Sequence, residues 1–187
     1  MEATDILMAE HRVIERLLAV LHTAAERLEQ GQPVRPGFFV DASDFIKGFA
    51  DGCHHRKEEG VLFPAMNESG VPAQGGPIGT MLAEHELGRR YTREMRAAAE
   101  RWQAGDASAR PAAAQNALGY VALLRVHIQK EDRILFPLAA RTIPAGRQER
   151  LAEEFERIEH EETGEGIHEK YLALADKLTT EAAALTV

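Results

Sequence analysis

The sequence predicts an all-α protein built around an up-down-up-down four-helix bundle. Of its 187 residues, 44 % are hydrophobic and only 6 % are aromatic, and long runs rich in Ala, Leu, Glu and Arg favour helices. Breaks rich in proline and glycine separate these runs, and one motif of histidine and glutamate occurs twice. A chain of this length has room for one domain with a proper core. We expect the bundle over residues 1–143 and an additional helical segment over residues 144–187, packed on the bundle.

The first helix should start at Thr4, a residue suited to an N-cap, with Asp5 in its first turn. From Leu7 onward, apolar residues repeat at helical spacing, and His11 lies in the same stripe. The helix should end within residues 31–37, where GQPVRPG supplies two prolines and two glycines. His11 is therefore expected to point toward the core.

Three more helices complete the predicted bundle. The second should cover residues 38–67, with Pro64 kinking or weakening its last turns because proline lacks a backbone donor. The third should cover residues 78–104, and the fourth should begin near Pro111, which a first helical turn tolerates. A fifth helical region follows and is interrupted at residues 163–166, where the sequence reads TGEG.

The most specific signal is a repeat. The segment HHRKEEGVLFP at residues 54–64 returns as HIQKEDRILFP at residues 127–137. Each copy contains a histidine and a glutamate four residues apart, which lie on the same face of a helix about one turn apart. An imidazole and a carboxylate so placed can bind the same metal centre. The two pairs are His54 with Glu58 and His127 with Glu131.

The repeat extends upstream, because Ala-Glu-His occurs at residues 9–11 and again at residues 83–85. Imidazoles with bridging carboxylates suit iron, whereas a structural zinc would need fewer oxygens and usually thiolate. Six ligands exceed what one such ion ordinarily needs, so two ions bridged by both glutamates explain the number and the internal symmetry together. The predicted metal ligands are His11, His54, Glu58, His85, His127 and Glu131.

A second acid follows each ligand glutamate. Glu59 and Asp132 stand five residues after the motif histidine, and five residues of regular helix turn a side chain well off the face. We therefore expect both to be solvent-facing acids near Lys57 and Lys130. These lysines should be charges at the surface or behind the ligands, and not ligands themselves.

The order H…HxxxE…H…HxxxE, with LFP after each pair, resembles the hemerythrin-like (HHE cation-binding) family over roughly residues 5–140. The resemblance implies a hemerythrin-like bundle that holds two iron ions in an oxo- or hydroxo-bridged di-iron centre. Oxygen carriers of that family have a second histidine four residues after the one in the third helix, and here Arg89 stands at that position. The remaining coordination position could be filled by water or a small molecule, or by His55, Glu162 or His168.

The resemblance implies a centre that interacts with oxygen, nitric oxide or peroxide, for binding, sensing or scavenging. The alternatives are a di-iron enzyme that turns over peroxide or nitric oxide, an iron storage or homeostasis protein, and a metal-stabilised bundle without small-molecule chemistry. An enzyme would consume the small molecule repeatedly, whereas a binding protein would take up a fixed number of molecules per centre. The sequence leaves open the oligomeric state, the ligand and a replacement of iron by manganese or zinc. His168, in a Gly-Glu-Gly-Ile-His segment, predicts either a flexible hinge or a lid that reaches the site.

Composition and charge limit the partners and the cellular compartment that we expect for this protein. The net charge of −8 and the absence of a basic stripe argue against nucleic acid. Cys53 is the only cysteine, so no internal disulfide can form and a reducing cytosol is expected. The sequence has no apolar run long enough for a membrane and no signal-peptide pattern, so we expect a cytoplasmic protein. It also lacks a phosphate-binding loop, an H-E-x-x-H motif and a nucleophile elbow.

Overall fold

The computed structural model describes residues 3–163 and 166–185, apart from the side chains of residues 161–163 and 185. The described residues form helices and their connections, with no strand among them, which confirms the all-α class. The order of up and down helices and the boundary at residue 143 stay predictions. The helices are α1 (Ala3–Glu29), α2 (36–68), α3 (Pro77–Gln103), α4 (110–142), α5 (Ala145–Arg157, continued by a π-helical turn at Ile158–Thr163) and α6 (Ile167–Leu185).

The helix ends follow the predicted breaks closely. Pro36 and Pro77 occupy first-turn positions of α2 and α3, where the missing backbone donor costs little. Gly31 and Gly105 follow α1 and α3 with φ values of 74° and 104°, a left-handed conformation that glycine adopts without strain. At the start of α1 the prediction is wrong, because α1 begins at Ala3 and buries Thr4 within its first turn.

Helices α2 and α4 are not regular along their length. In α2, π-helical stretches at Ile46–His55 and Glu58–Leu62 precede a final α-helical part at Phe63–Glu68. In α4, a π-helical turn at Glu131–Leu135 lies between Arg110–Lys130 and Phe136–Thr142. The turns at Glu58 and Glu131 each stand just before Phe-Pro, so the disturbance predicted for Pro64 takes the form of a wider helical turn.

The four long helices enclose two separate apolar clusters. One lies around Leu21, Phe38 and Tyr120, and the other around Leu7, Leu62 and Phe136. The predicted ligand residues lie buried in the polar layer between these clusters, and His11 is fully buried as expected. Charged groups in such a layer require partners, since an uncompensated charge in a core is strongly unfavourable.

The C-terminal segment packs on the bundle. Helix α6 lies against α1 and α2, and α5 contacts α1. The ring of Tyr171 sits directly over Gly48, where a Cβ atom would come within 1.8 Å of it. At the far end of α6, Arg35 forms ion pairs with Glu181 and Asp41. Among the described residues, no helix is both long and apolar enough to cross a membrane.

Candidate metal centre

Two groups of potential ligand atoms meet in the polar layer between the apolar clusters. Each group contains atoms that all lie within 4.8 Å of one another, and every member is buried. Glu58 belongs to both groups, so the two candidate ion positions are adjacent. The first group is His11, His54, Glu58 and Glu131, and the second is His55, Glu58, His85 and His127.

Glu58 extends one oxygen toward each group. Its Oε1 lies 3.6 Å from Nε2 of His54, and its Oε2 lies 3.5 Å from Nε2 of His85. Neither oxygen has a hydrogen-bond partner among the described residues, although the side chain is fully buried. A buried carboxylate without partners is costly, and a cation beside each oxygen would compensate it.

Glu131 repeats this arrangement from the opposite helix. Its Oε2 lies 3.1 Å from Nε2 of His11, and its Oε1 lies 3.2 Å from Nε2 of His127. Both oxygens are again buried without a hydrogen-bond partner in the described part of the chain. Glu131, like Glu58, therefore lies close to a histidine of each group.

The two carboxyl groups have opposite pKa shifts. Burial raises the pKa of Glu58 well above its ordinary value, and the charge of Glu131 raises it further. Burial also acts to raise the pKa of Glu131, but His127 and His11 outweigh it and hold that pKa well below the ordinary range. Two neighbouring buried carboxyl groups disfavour each other's ionisation, and a cation between them would relieve this repulsion.

The histidines face the centre with Nε2. In each of five histidines, Nδ1 donates a hydrogen bond to a carboxylate, which fixes the ring and leaves the Nε2 lone pair toward the metal positions. His85 and His127 bring their Nε2 atoms to 3.1 Å from each other, a contact that suits two ligands of one cation. The Nδ1 pairs are His11–Asp132, His54–Glu10, His55–Asp51, His85–Glu59 and His127–Glu84, at 2.7 to 2.9 Å.

Burial favours the neutral form of His54 and His55. Burial lowers the pKa of His54 to about 4, despite the opposing hydrogen bond to Glu10. Burial also lowers the pKa of His55 well below its ordinary value, and the neighbouring His85 adds to the decrease. A neutral imidazole has the lone pair that metal coordination needs.

A cation stands behind each of the five carboxylates. Lys57 Nζ donates to Glu10 at 2.5 Å, and Arg89 donates to Glu59 at 2.6 Å and approaches Asp51. Lys130 donates to Glu84, and Arg12 donates to Asp132. The pKa of Glu10 is consequently lowered to about 2, because His54 and Lys57 outweigh the effect of burial. The pKa values of Glu59, Glu84 and Asp132 are lowered as well, whereas burial raises that of Asp51 to about 6.

The prediction that Glu59 and Asp132 face the solvent is wrong. As expected, each side chain points away from the helix face that carries the ligands. It points toward a neighbouring helix, however, and not into solvent. Glu59 reaches Nδ1 of His85, and Asp132 reaches Nδ1 of His11, both at 2.7 Å. Lys57 lies behind a ligand, as one of the two predictions for it stated, and its side chain is fully buried.

The repeated Phe-Pro has a role at the centre. Phe136 stacks on His11 with ring centroids 5.4 Å apart, and Phe63 stacks on His85 at 6.0 Å. Each phenylalanine covers the single histidine of the neighbouring half. These rings limit the approach of water to the ligand atoms.

Of the three additional candidates, the structure brings only His55 into the centre. His55 stacks on His85 at a centroid distance of 3.8 Å, and its Nε2 is buried without a hydrogen-bond partner in the described residues. His168 instead lies 3.2 Å from Glu159 and belongs to a separate group with Glu10. The side chain of Glu162 lies outside the described residues. Sequence reasoning gave no role to Asp51, Glu10 and Glu84, although Glu10 and Glu84 belong to the repeated Ala-Glu-His.

The profile of the hemerythrin HHE cation binding domain matches residues 2–139, which include every residue of the two groups. The chain belongs to the hemerythrin HHE cation-binding family. Membership and the buried histidine and glutamate groups together support metal binding. In this hemerythrin-family chain, all of α5 and α6 lie beyond the match.

Three curated relatives, one from Mycobacterium bovis and two from strains of Mycobacterium tuberculosis, are each 28 % identical over 163 residues. The alignments cover 87 % of this chain and 63 % of each relative, so the chain spans somewhat less than two thirds of their length. All three are named as uncharacterized proteins. No solved structure matches the chain.

Proposed function

We propose that this hemerythrin-family chain binds two iron ions and that the resulting centre interacts with oxygen, nitric oxide or peroxide. In this proposal His11 and His54 hold one ion, and His55, His85 and His127 hold the other. Glu58 and Glu131 would contribute carboxylate oxygens to both. The chemistry of the donors fits iron, since imidazole and carboxylate accommodate both Fe(II) and Fe(III) and no thiolate is present among them.

The observation that carries the proposal is the sharing of two buried carboxylates between two sets of imidazoles. A single ion would use the oxygens of Glu58 on one side only, yet its two oxygens lie 3.6 Å and 3.5 Å from histidines of different groups. Glu131 does the same at 3.1 Å and 3.2 Å. Two adjacent cations compensate all four carboxylate oxygens at once.

The first position has fewer imidazoles than the second. Only His11 and His54 serve it, whereas three histidines serve the other position. This asymmetry supports an accessible coordination position beside His11, where the ring of Phe136 forms part of the wall. A di-iron centre would supply reversible one-electron chemistry and a binding position for a small molecule. The protein residues orient the imidazoles, hold Glu58 and Glu131 between the two groups of histidines and restrict water.

The first experiment is the metal content per chain, with an absorption spectrum before and after reduction and re-exposure to air. We expect close to two irons per chain and charge-transfer bands in the near-ultraviolet that change on reduction. Glu58→Gln and Glu131→Gln should each reduce the metal content, because an amide cannot replace a bridging carboxylate. The matched control is Glu94→Gln, a change at an exposed position of α3, and it should keep both ions.

A content of one ion or none in the folded wild type, unchanged in both glutamine variants, would contradict the di-iron proposal. Interaction with small molecules is tested separately by adding nitric oxide or peroxide to the reduced, metal-loaded protein. A stoichiometric spectral change would support binding, and continued consumption of the added molecule would support turnover. If oxygen, nitric oxide and peroxide all leave the spectrum unchanged, only the metal-binding part of the proposal would remain.

A further inference from the structure

A chain of hydrogen bonds connects the C-terminal segment to one histidine of the first group of ligands. Nδ1 of His54 donates to one oxygen of Glu10 at 2.9 Å, and Nζ of Lys57 donates to the other oxygen at 2.5 Å. The same ammonium group donates to Glu159 at 2.9 Å. Lys57 therefore joins an acid of α1 to an acid of the π-helical turn that continues α5.

The inner part of this chain is shielded from water. The side chains of His54, Lys57 and Glu10 are only 1 %, 0 % and 6 % exposed, whereas that of Glu159 is 30 % exposed. Charged hydrogen bonds are stronger in such surroundings, because little solvent screens them. The carboxylate of Glu159 therefore acts on Glu10 through Lys57 with little loss to the solvent.

Glu159 is held in place from a second side. Its other oxygen lies 3.2 Å from Nδ1 of His168 in α6, and the ring of His168 lies against that of Phe49 in α2 at a centroid distance of 5.2 Å. Glu159 and His168 both lie beyond residues 2–139, which the family profile matches. The C-terminal segment thus adds an outer end to a chain that begins at a candidate ligand of the family domain.

The corresponding chain in the second half is one step shorter. Nδ1 of His127 donates to Glu84 at 2.9 Å, and Lys130 donates to the same carboxylate. Within the described part of the protein, Lys130 has no second acid at ion-pair distance. An influence of the C-terminal segment is therefore expected at only one of the two candidate ion positions.

We propose that Glu159 is a positioning residue for His54 and, through this imidazole, for the ion at the first position. The inference rests on the metal binding proposed above. Glu159 shares the ammonium group of Lys57, so Glu10 keeps more negative charge for its hydrogen bond with His54. A histidine whose Nδ1 donates to a stronger acceptor is a more basic ligand at Nε2. Such a ligand binds the ion more tightly and favours its higher oxidation state.

The test compares Glu159→Gln with Asp176→Asn in the metal-loaded full chain. Asp176→Asn removes the same charge and also an ion pair of the C-terminal segment, since Asp176 binds Arg16 of α1. Glu159→Gln should speed the release of one of the two irons to a competing chelator by about threefold to tenfold, less than the loss typical of a direct partner of a ligand. It should also shift the one-electron reduction equilibrium toward the reduced form by about threefold or more. Asp176→Asn should change both quantities by less than about twofold, because its exposed charge is screened.

A second measurement needs no metal. Nitrogen NMR spectra of the metal-free chain with labelled histidine distinguish the two neutral forms of an imidazole. In Glu159→Gln, the fraction of His54 with its proton on Nδ1 should fall, and in Asp176→Asn it should not change. Circular dichroism confirms that both variants are folded.

Equal changes in the two variants would overturn the inference in favour of a general effect of docking the C-terminal segment. Unchanged iron release together with an unchanged His54 spectrum in Glu159→Gln would also overturn it. A wild-type protein without iron would contradict the proposed function instead. The His54 spectrum would then still decide whether Glu159 positions this imidazole.

Discussion

The two halves of the internal repeat have the same motif, but the lysine of the motif has different surroundings in each half. In the first half, the Lys57 side chain is fully buried and contacts both Glu10 and Glu159 of the C-terminal segment. In the second half, Lys130 has 31 % of its side chain exposed and contacts Glu84. The repeat therefore gives both halves a similar arrangement of residues, and the C-terminal segment shields the lysine of the first half from water.

The ligands differ between the halves as well. The residue after the motif histidine is His55 in the first copy and Ile128 in the second. His55 joins His85 and His127 of the second half, so the two candidate ion positions have two and three imidazoles. A single difference at one repeat position thus gives the two groups different numbers of imidazoles.

The largest expected effect concerns this difference. His55→Ala should remove the third imidazole of the second position and lower the metal content from about two ions toward one per chain. Metal analysis after dialysis against a weak chelator measures this. Ile128→Ala, at the equivalent repeat position, creates a cavity but removes no ligand, and it should retain both ions. Equal metal loss in the two variants would show that packing, and not the imidazole, is responsible.

The two lysines provide the next comparison. Lys57→Met should lower the free energy of unfolding by about 3–5 kcal/mol, because it leaves buried carboxylates without their cation. Lys130→Met should cost less than about 1 kcal/mol, since water reaches its partner. Urea unfolding of both variants at equal metal content tests the difference. Similar losses of stability in the two variants would mean that the C-terminal segment does not shield Lys57 from water in solution.

Two glycines of α2 test how the C-terminal segment docks. Gly48→Ala would place a Cβ 1.8 Å from Tyr171, so the ring must move and stability should fall by about 1–3 kcal/mol. Gly60→Ala meets nothing within 4 Å and should stabilise the helix by up to about 1 kcal/mol. The melting temperature should therefore fall in Gly48→Ala and rise in Gly60→Ala. A loss of stability in Gly60→Ala as large as that in Gly48→Ala would refute the steric explanation.

The smallest effect concerns the ion pairs that hold α6. Burial acts to raise the pKa of Asp41, but Arg35 and Lys177 outweigh it, so the pKa is lowered in the folded state. The stability from this group is therefore present above the unfolded pKa of 3.8 and is lost as the pH falls below it. Asp41→Asn should be less stable than wild type at pH 6, and the difference should shrink progressively as the pH falls below 3.8. A difference in urea midpoints that does not shrink as the pH is lowered would contradict this.

Much of the fold and the grouping of the buried histidines and glutamates could be predicted from sequence because both depend on local patterns. Proline and glycine marked the helix ends, and the four-residue spacing brought His54 and Glu58 onto one face. The roles of Glu59 and Asp132 depended on which helix lies beside them, and spacing along one helix does not contain that information. For the same reason Arg89 was read only as a missing ligand, whereas it holds Glu59 and approaches Asp51 beside His55.

The π-helical turns at Glu58–Leu62 and Glu131–Leu135 have a further consequence. A turn closed by a bond to the fifth residue holds one residue more than an α-helical turn, so each works as a single-residue insertion kept within a continuous helix. The wider turn lets Glu58 and Phe63, which are five residues apart, reach the same histidine, His85. In a regular α-helix a spacing of five residues would turn Phe63 well off the face of Glu58.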